Sequence, residues 1–141
     1  MSEHLPEDFE HSMGVCLRAK GSDDAQLLIT LAALGMCNAL AAGTLSPEYA
    51  CQRLFGPALL TRLELMNACQ ELRHAIHMAT ELEDVAALIP DKLASAISDV
   101  ENGLRKALTK LAAKPPAGEK WLVWEAIRAP PRPGRGPPPP R

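Results

Sequence analysis

Apolar positions along this chain recur at intervals of three and four residues, which is the period of an α-helix and not of a strand. From Leu27 to Ala42 almost every position is apolar. Ser22 or Asp23 is placed to cap that run, Asp23 and Asp24 suit the positive end of its dipole, and Gly43 suits its end. A helix apolar nearly all round is expected to be surrounded by other helices. Thr44 to Phe55 predicts a short helix with Ser46 at the cap, Pro47 at the first position and Glu48 in the first turn. Gly56-Pro57 breaks it. The next helix is expected to run from about Ala58 to Met78, burying Leu59, Leu63, Met66, Cys69 and Ile76 and exposing Glu64, Asn67, Glu71 and His74.

The stretch Thr80–Val100, T-E-L-E-D-V-A-A-L-I-P-D-K-L-A-S-A-I-S-D-V, joins the two longest helical patterns. Thr80 with Glu83 has the spacing of a capping box, which would start a connector helix over Thr80–Ile89. Pro90 stops that helix and is suited to open the following one, with Asp91 as a second carboxylate near a helix start. Beyond it, Leu93, Ala96, Ile97, Val100, Leu104, Leu108 and Leu111 form one apolar stripe. Arg105, Lys106, Lys110 and Lys114 lie near its end, where cations are favoured. Glu119–Arg128 places Trp121, Trp124 and Ile127 at helical spacing, either docked on the bundle end or exposed as a patch. The whole predicts an all-α compact bundle of about five helices. Residues 1–21 form an arm or short helix, 22–128 the helical domain, and 129–141 a disordered tail rich in Pro and Arg.

Composition adds to this picture in two ways. Ala and Leu are abundant and aromatics make up 4% of the chain, a balance that favours helices over sheets. The formal net charge is −2, but the last 13 residues hold Arg132, Arg135 and Arg141 and no acid, so residues 1–128 carry −5. Between Glu71 and Glu101 stand seven acids against Arg73 and Lys92. That sign disfavours nucleic acid and favours a basic protein partner.

The four cysteines, Cys16, Cys37, Cys51 and Cys69, are widely spaced and read as free thiols in a reducing compartment. No basic segment precedes an apolar run at the start, and Leu27–Ala42 falls short of the ~20 residues that span a bilayer. A cytoplasmic protein with no membrane contact is therefore expected.

Candidate chemistry is sparse. Glu71, His74, His77 and Glu81 are the one cluster with metal-ligand character, through the E-x-x-H pair Glu71–His74. A di-iron site needs a second such pair, which the chain lacks, and zinc needs three or four converging ligands. Ser46, Ser95 and Ser98 have no adjacent base or nucleophile elbow, and no glycine-rich phosphate loop occurs. The expectation is a protein without enzymatic activity and without cofactor or metal.

The run carrying Leu31, Leu34, Gly35, Cys37, Ala39 and Leu40, followed by the T-E-L-E-D-V-x-x-L-I-P-D-K-L motif, resembles a family of small, largely uncharacterised bacterial helical proteins. The likeness covers about residues 27–108. It departs from the family's S-I pairing, because the order here is Ala94-Ser95-Ala96-Ile97. In type, small acidic helical chains are also similar to the immunity proteins that bacteria pair with toxins. That likeness implies an antitoxin-type protein occluding a basic toxin domain through an acidic face, with Glu81, Glu83, Asp84 and Asp91 as contacts and Trp121 and Trp124 as further candidates. The alternatives are a homodimeric helical adaptor, joined through the small-residue helix Asp23–Ala42 or the tryptophans, and a metal-dependent enzyme.

Overall fold

The computed structural model describes residues 14–114 and 118–123. Contacts divide the chain into a helical unit, Ala19–Gly118, and a second unit made of the segments on either side of it. The helical unit contains α1 (Ser22–Ala41), α2 (Pro47–Arg53), α3 (Pro57–Leu65), α4 (Gln70–Thr80), α5 (Leu82–Leu88), a 3-10 turn (Pro90–Lys92) and α6 (Leu93–Ala112). Since α4 and α5 meet at the single residue Glu81, this is the all-α bundle of about five helices that the periodicity predicts.

The stripe on α6 is the centre of the unit. Ile97, Val100, Leu104 and Ala107 are buried at helical spacing, and α1 and α4 both pack along that helix. From α1 come Ala33, Cys37 and Leu40, and from α4 come Leu72, Ala75, Ile76 and Ala79. Small residues set the distance between α4 and α6. A Cβ on Gly103 would lie 3.1 Å from the Ala75 Cβ, tighter than ordinary packing. To one side, α2 packs on α5, with Phe55, Leu63 and Leu82 fully enclosed. Two helix ends form as the residues dictate. Ser46 Oγ accepts the Tyr49 amide at 3.1 Å with Pro47 opening α2, and Gly43 takes φ 74° after α1.

Four expectations fail, each for a local reason. The helix drawn over Ala58–Met78 is two helices, broken at Met66–Cys69. Asn67 sits there at φ 52°, a left-handed conformation that asparagine tolerates better than most residues. The break is held from α1. Ser22 Oγ donates to the Met66 carbonyl at 3.0 Å, Gln26 Nε2 donates to Ser22 Oγ at 2.9 Å, and the Cys69 amide donates to Gln26 Oε1 at 2.8 Å. Ser22 is thus recruited to this contact, and Gly21 occupies the cap position of α1 instead.

Secondly, the Thr80–Glu83 capping box does not form. Thr80 lies in the last turn of α4, its hydroxyl donates to the His77 carbonyl at 2.6 Å, and α5 starts at Glu81 with no side-chain cap. Likewise Pro90 opens a 3-10 turn, and α6 proper begins at Leu93.

Thirdly, α1 is not enclosed on all sides. It packs on α6 and more lightly on α2, leaving Leu31, Ala32, Gly35, Asn38 and Ala41 exposed. Apolarity all round sets a tendency to be buried, but neighbouring helices cover only one face. At 20 residues and a mean hydropathy of 1.4, α1 is long and apolar enough to cross a membrane by length and composition, which corrects the expectation that it falls short.

Fourthly, Leu122–Val123 is a strand, not part of a helix. It pairs antiparallel with Cys16–Leu17 in the register Cys16↔Val123 and Leu17↔Leu122. Val123, Leu122 and Leu17 suit a pleated ribbon, and the Arg18 amide extends the pairing to the Trp121 carbonyl at 2.7 Å. Trp124, Ile127 and the Pro/Arg tail at 129–141 lie outside the described residues.

These contacts set three expectations for stability. Gln26→Ala strips the Cys69 amide of its acceptor and should cost about 1–3 kcal/mol in urea unfolding. Gly103→Leu should destabilise by about 1–3 kcal/mol through overpacking. Gly35→Ala, whose Cβ would meet nothing within 4 Å, should stabilise by about 0.5–1 kcal/mol.

Candidate functional site

The acidic connector becomes a continuous exposed surface on α5 and the turn after it. Glu81, Glu83, Asp84 and Asp91 are all exposed. Glu81 lies 3.8 Å from His77 Nδ1, one helical turn earlier. Among the described residues no ion pair engages Glu83, Asp84 or Asp91. Glu83 and Asp84 stand in the first turn of α5, at the positive end of its dipole, and no basic residue stands in its last turn.

An apolar feature runs through this charge. Leu88 is 79% exposed and Ile89 50%. With Val85, Glu81 and Asp84 they line an open groove of about 420 Å³. The reason lies in the helix pattern. Leu82 is the residue of α5 that the core takes, and it turns the face carrying Val85 and Leu88 outward. Beneath the acidic turn sits Cys51, whose thiol donates to the Ala79 carbonyl at 3.7 Å. Burial pushes the Cys51 thiol up, the backbone of Glu83 opposes this by hydrogen bonding, and the Glu83 and Asp84 charges add to the rise.

A second groove of about 490 Å³ lies between α4 and α6, with Glu71, His74, Asp99 and Lys106 on its walls and Met78 and Gly103 among its lining. Here the structure separates the residues of the candidate metal cluster. Glu71 is taken by Lys110, with Nζ at 3.3 and 3.4 Å from its two oxygens. His77 is exposed, not half-buried, and faces Glu81. Only Glu71 and His74 share the groove. Among the described residues no three His, Cys, Asp or Glu side chains are grouped to hold a metal ion.

The Glu71 carboxyl is held below its ordinary value, first by its own backbone amide at the start of α4 and then by Lys110. All four cysteines are free thiols. Cys37 is fully buried, and burial pushes it up to about 11. Its contribution to stability is therefore complete below the ordinary thiol value of 9.0 and is lost as pH rises towards 11.

Of the residues expected to bind a partner, the structure groups Glu81 and Asp84 around one groove and places Glu83 and Asp91 on the same connector. Trp121 belongs to the two-stranded unit, where it is half-buried and engaged, and Trp124 is outside the described residues. The residues missed in the sequence are Val85, Leu88 and Ile89. The sequence carried no signal of their exposure, since Leu82, Val85 and Ile89 keep the three-four spacing of a buried face.

These features define a small all-α bundle with an acidic, partly apolar connector face. The chain belongs to the DUF3969 family, described as a protein of unknown function, which matches residues 20–123. No curated protein and no solved structure matches the chain.

A pH prediction comes from Glu71. Because its folded pKa is depressed, its contribution is present above the unfolded value, ~4.3, and is lost as pH falls through the folded value. An NMR titration of the Glu71 carboxyl should give a midpoint below that of a free glutamate, and Lys110→Met should move the midpoint upward.

Proposed function

We propose that this chain is a protein-interaction module without enzymatic activity that recognises a basic protein partner through the connector face, as an immunity protein of the antitoxin type occludes a basic toxin domain. The observation that carries this reading is that, among the described residues, no ion pair engages the exposed Glu83, Asp84 and Asp91, while Asp84 shares a groove with Glu81, Val85, Leu88 and Ile89. Exposed like charges left unpaired raise the local negative potential, which accelerates association with a basic surface and repels nucleic acid and anionic lipid. Action in the cytoplasm, without cofactor and without membrane or nucleic-acid contact, completes the proposal.

The test uses the protein product of a neighbouring gene as the partner. Replacing Glu83, Asp84 and Asp91 together by their amides should weaken the complex at least about tenfold at low salt and flatten its salt dependence. Stability should change by no more than about 1 kcal/mol, since only the Glu83 and Asp84 dipole contributions are lost. Unchanged affinity and salt slope would remove the reading.

A second reading, a homodimeric adaptor, is favoured by one observation: α1 leaves Leu31, Ala32 and Gly35 exposed on an uncharged face. On that reading light scattering gives twice the monomer mass at micromolar concentration, and Leu31→Glu returns the monomer. A monomeric wild-type protein would dismiss it.

A further inference from the structure

The acidic face accounts for attraction but leaves the groove on α5 unexplained. A carboxylate surface that works by charge alone has no use for Leu88 at 79% and Ile89 at 50% exposure in its midst, because exposed aliphatic side chains are better buried. Glu81 and Asp84 are the charged part of the groove's lining (its lip), and Val85, Leu88 and Ile89 the apolar part (its floor). Resting on the proposed function, we infer that this groove is an anchor pocket for an aliphatic side chain carried on a basic segment of the partner. Each competing occupant meets an obstacle on the page. A lipid surface or a nucleic acid brings negative charge to Glu81 and Asp84. A second copy of this face, related by a two-fold axis, sets its own carboxylates against each other. An acidic or wholly apolar peptide leaves the Glu81 and Asp84 carboxylates of the groove without a cation. A segment with lysine or arginine flanking one leucine or isoleucine satisfies both the lip and the floor. This is the usual division of labour at interfaces, in which a buried apolar anchor supplies affinity and a charged rim supplies approach and register.

The probe is a labelled helical peptide of lysines and alanines bearing two leucines one turn apart, read by fluorescence anisotropy against the full chain. Its control replaces both leucines by serine. The leucine peptide should bind about tenfold more tightly than the serine peptide, the equivalent of burying one aliphatic group. Leu88→Ser should erase that difference while leaving the weak, salt-sensitive binding of the serine peptide intact. Because Leu88 is exposed, circular dichroism should show the variant folded, and Ile89→Ser provides an independent second change. Equal binding of the two peptides to the wild-type chain overturns the anchor and leaves the acidic-face reading standing. A leucine advantage that survives both substitutions also overturns it, by placing the apolar contact elsewhere. If neither peptide binds at low salt, the anchor and the acidic face fall together.

Discussion

The seam between α4 and α6 fixes everything else in the helical unit. Gly103 and Ala75 meet where a Cβ on Gly103 would come within 3.1 Å of the Ala75 side chain, so the two helices pack backbone to backbone. That close approach lets Leu72, Ile76, Val100 and Leu104 disappear completely from solvent and gives α6 room for α1 on its other side. Dispersion between packed atoms is individually weak and depends steeply on distance. A seam opened by even one methylene would therefore be felt across the core. The position of α5 follows directly, because it continues from α4 through Glu81 and is held down by Leu82.

Much of this was legible in the chain. The three-four spacing of Ile97, Val100 and Leu104 marked α6 and its buried face, and Ser46-Pro47 marked the start of α2. The break at Asn67 was not legible, because no glycine or proline stands between Ala58 and Met78. What fixes it is a contact from the far end of the sequence, Gln26 receiving the Cys69 amide at 2.8 Å. Local signals cannot report a hydrogen bond across 43 residues. The apparent capping box failed for a related reason. Thr80 is the last residue of α4 and so has no N-cap backbone, and its hydroxyl donates to the His77 carbonyl, as threonine inside a helix readily does towards the preceding turn. In the two-stranded unit, β-prone Leu122 and Val123 sat between tryptophans whose spacing suggested a helix, and pairing with Cys16–Leu17 decided the outcome.

The candidate site was legible in its charge and not in its shape. The acids of the connector are plain in the sequence, as is their excess over Arg73 and Lys92. Their arrangement around Val85, Leu88 and Ile89 depends on which face of a seven-residue helix is turned outward, and that is set by Leu82 entering the core. The candidate ligands Glu71, His74, His77 and Glu81 are spread over separate contacts. Lys110 on α6 reaches Glu71, while His77 faces Glu81 one turn on, so Glu71 and His77 are directed to different neighbours. What remains on the surface is a short acidic helix with an apolar floor, standing on a rigid seam.

The claim that recognition resides on this connector is tested most directly by hydrogen exchange of the protein alone and in complex with the partner that co-elutes from its native host. The account predicts slowed amide exchange concentrated in α5 and the following turn, from Leu82 to Lys92, with little change along α1. Protection confined to α1 or to the two-stranded unit, with exchange at Leu88 and Ile89 unaltered, would contradict it.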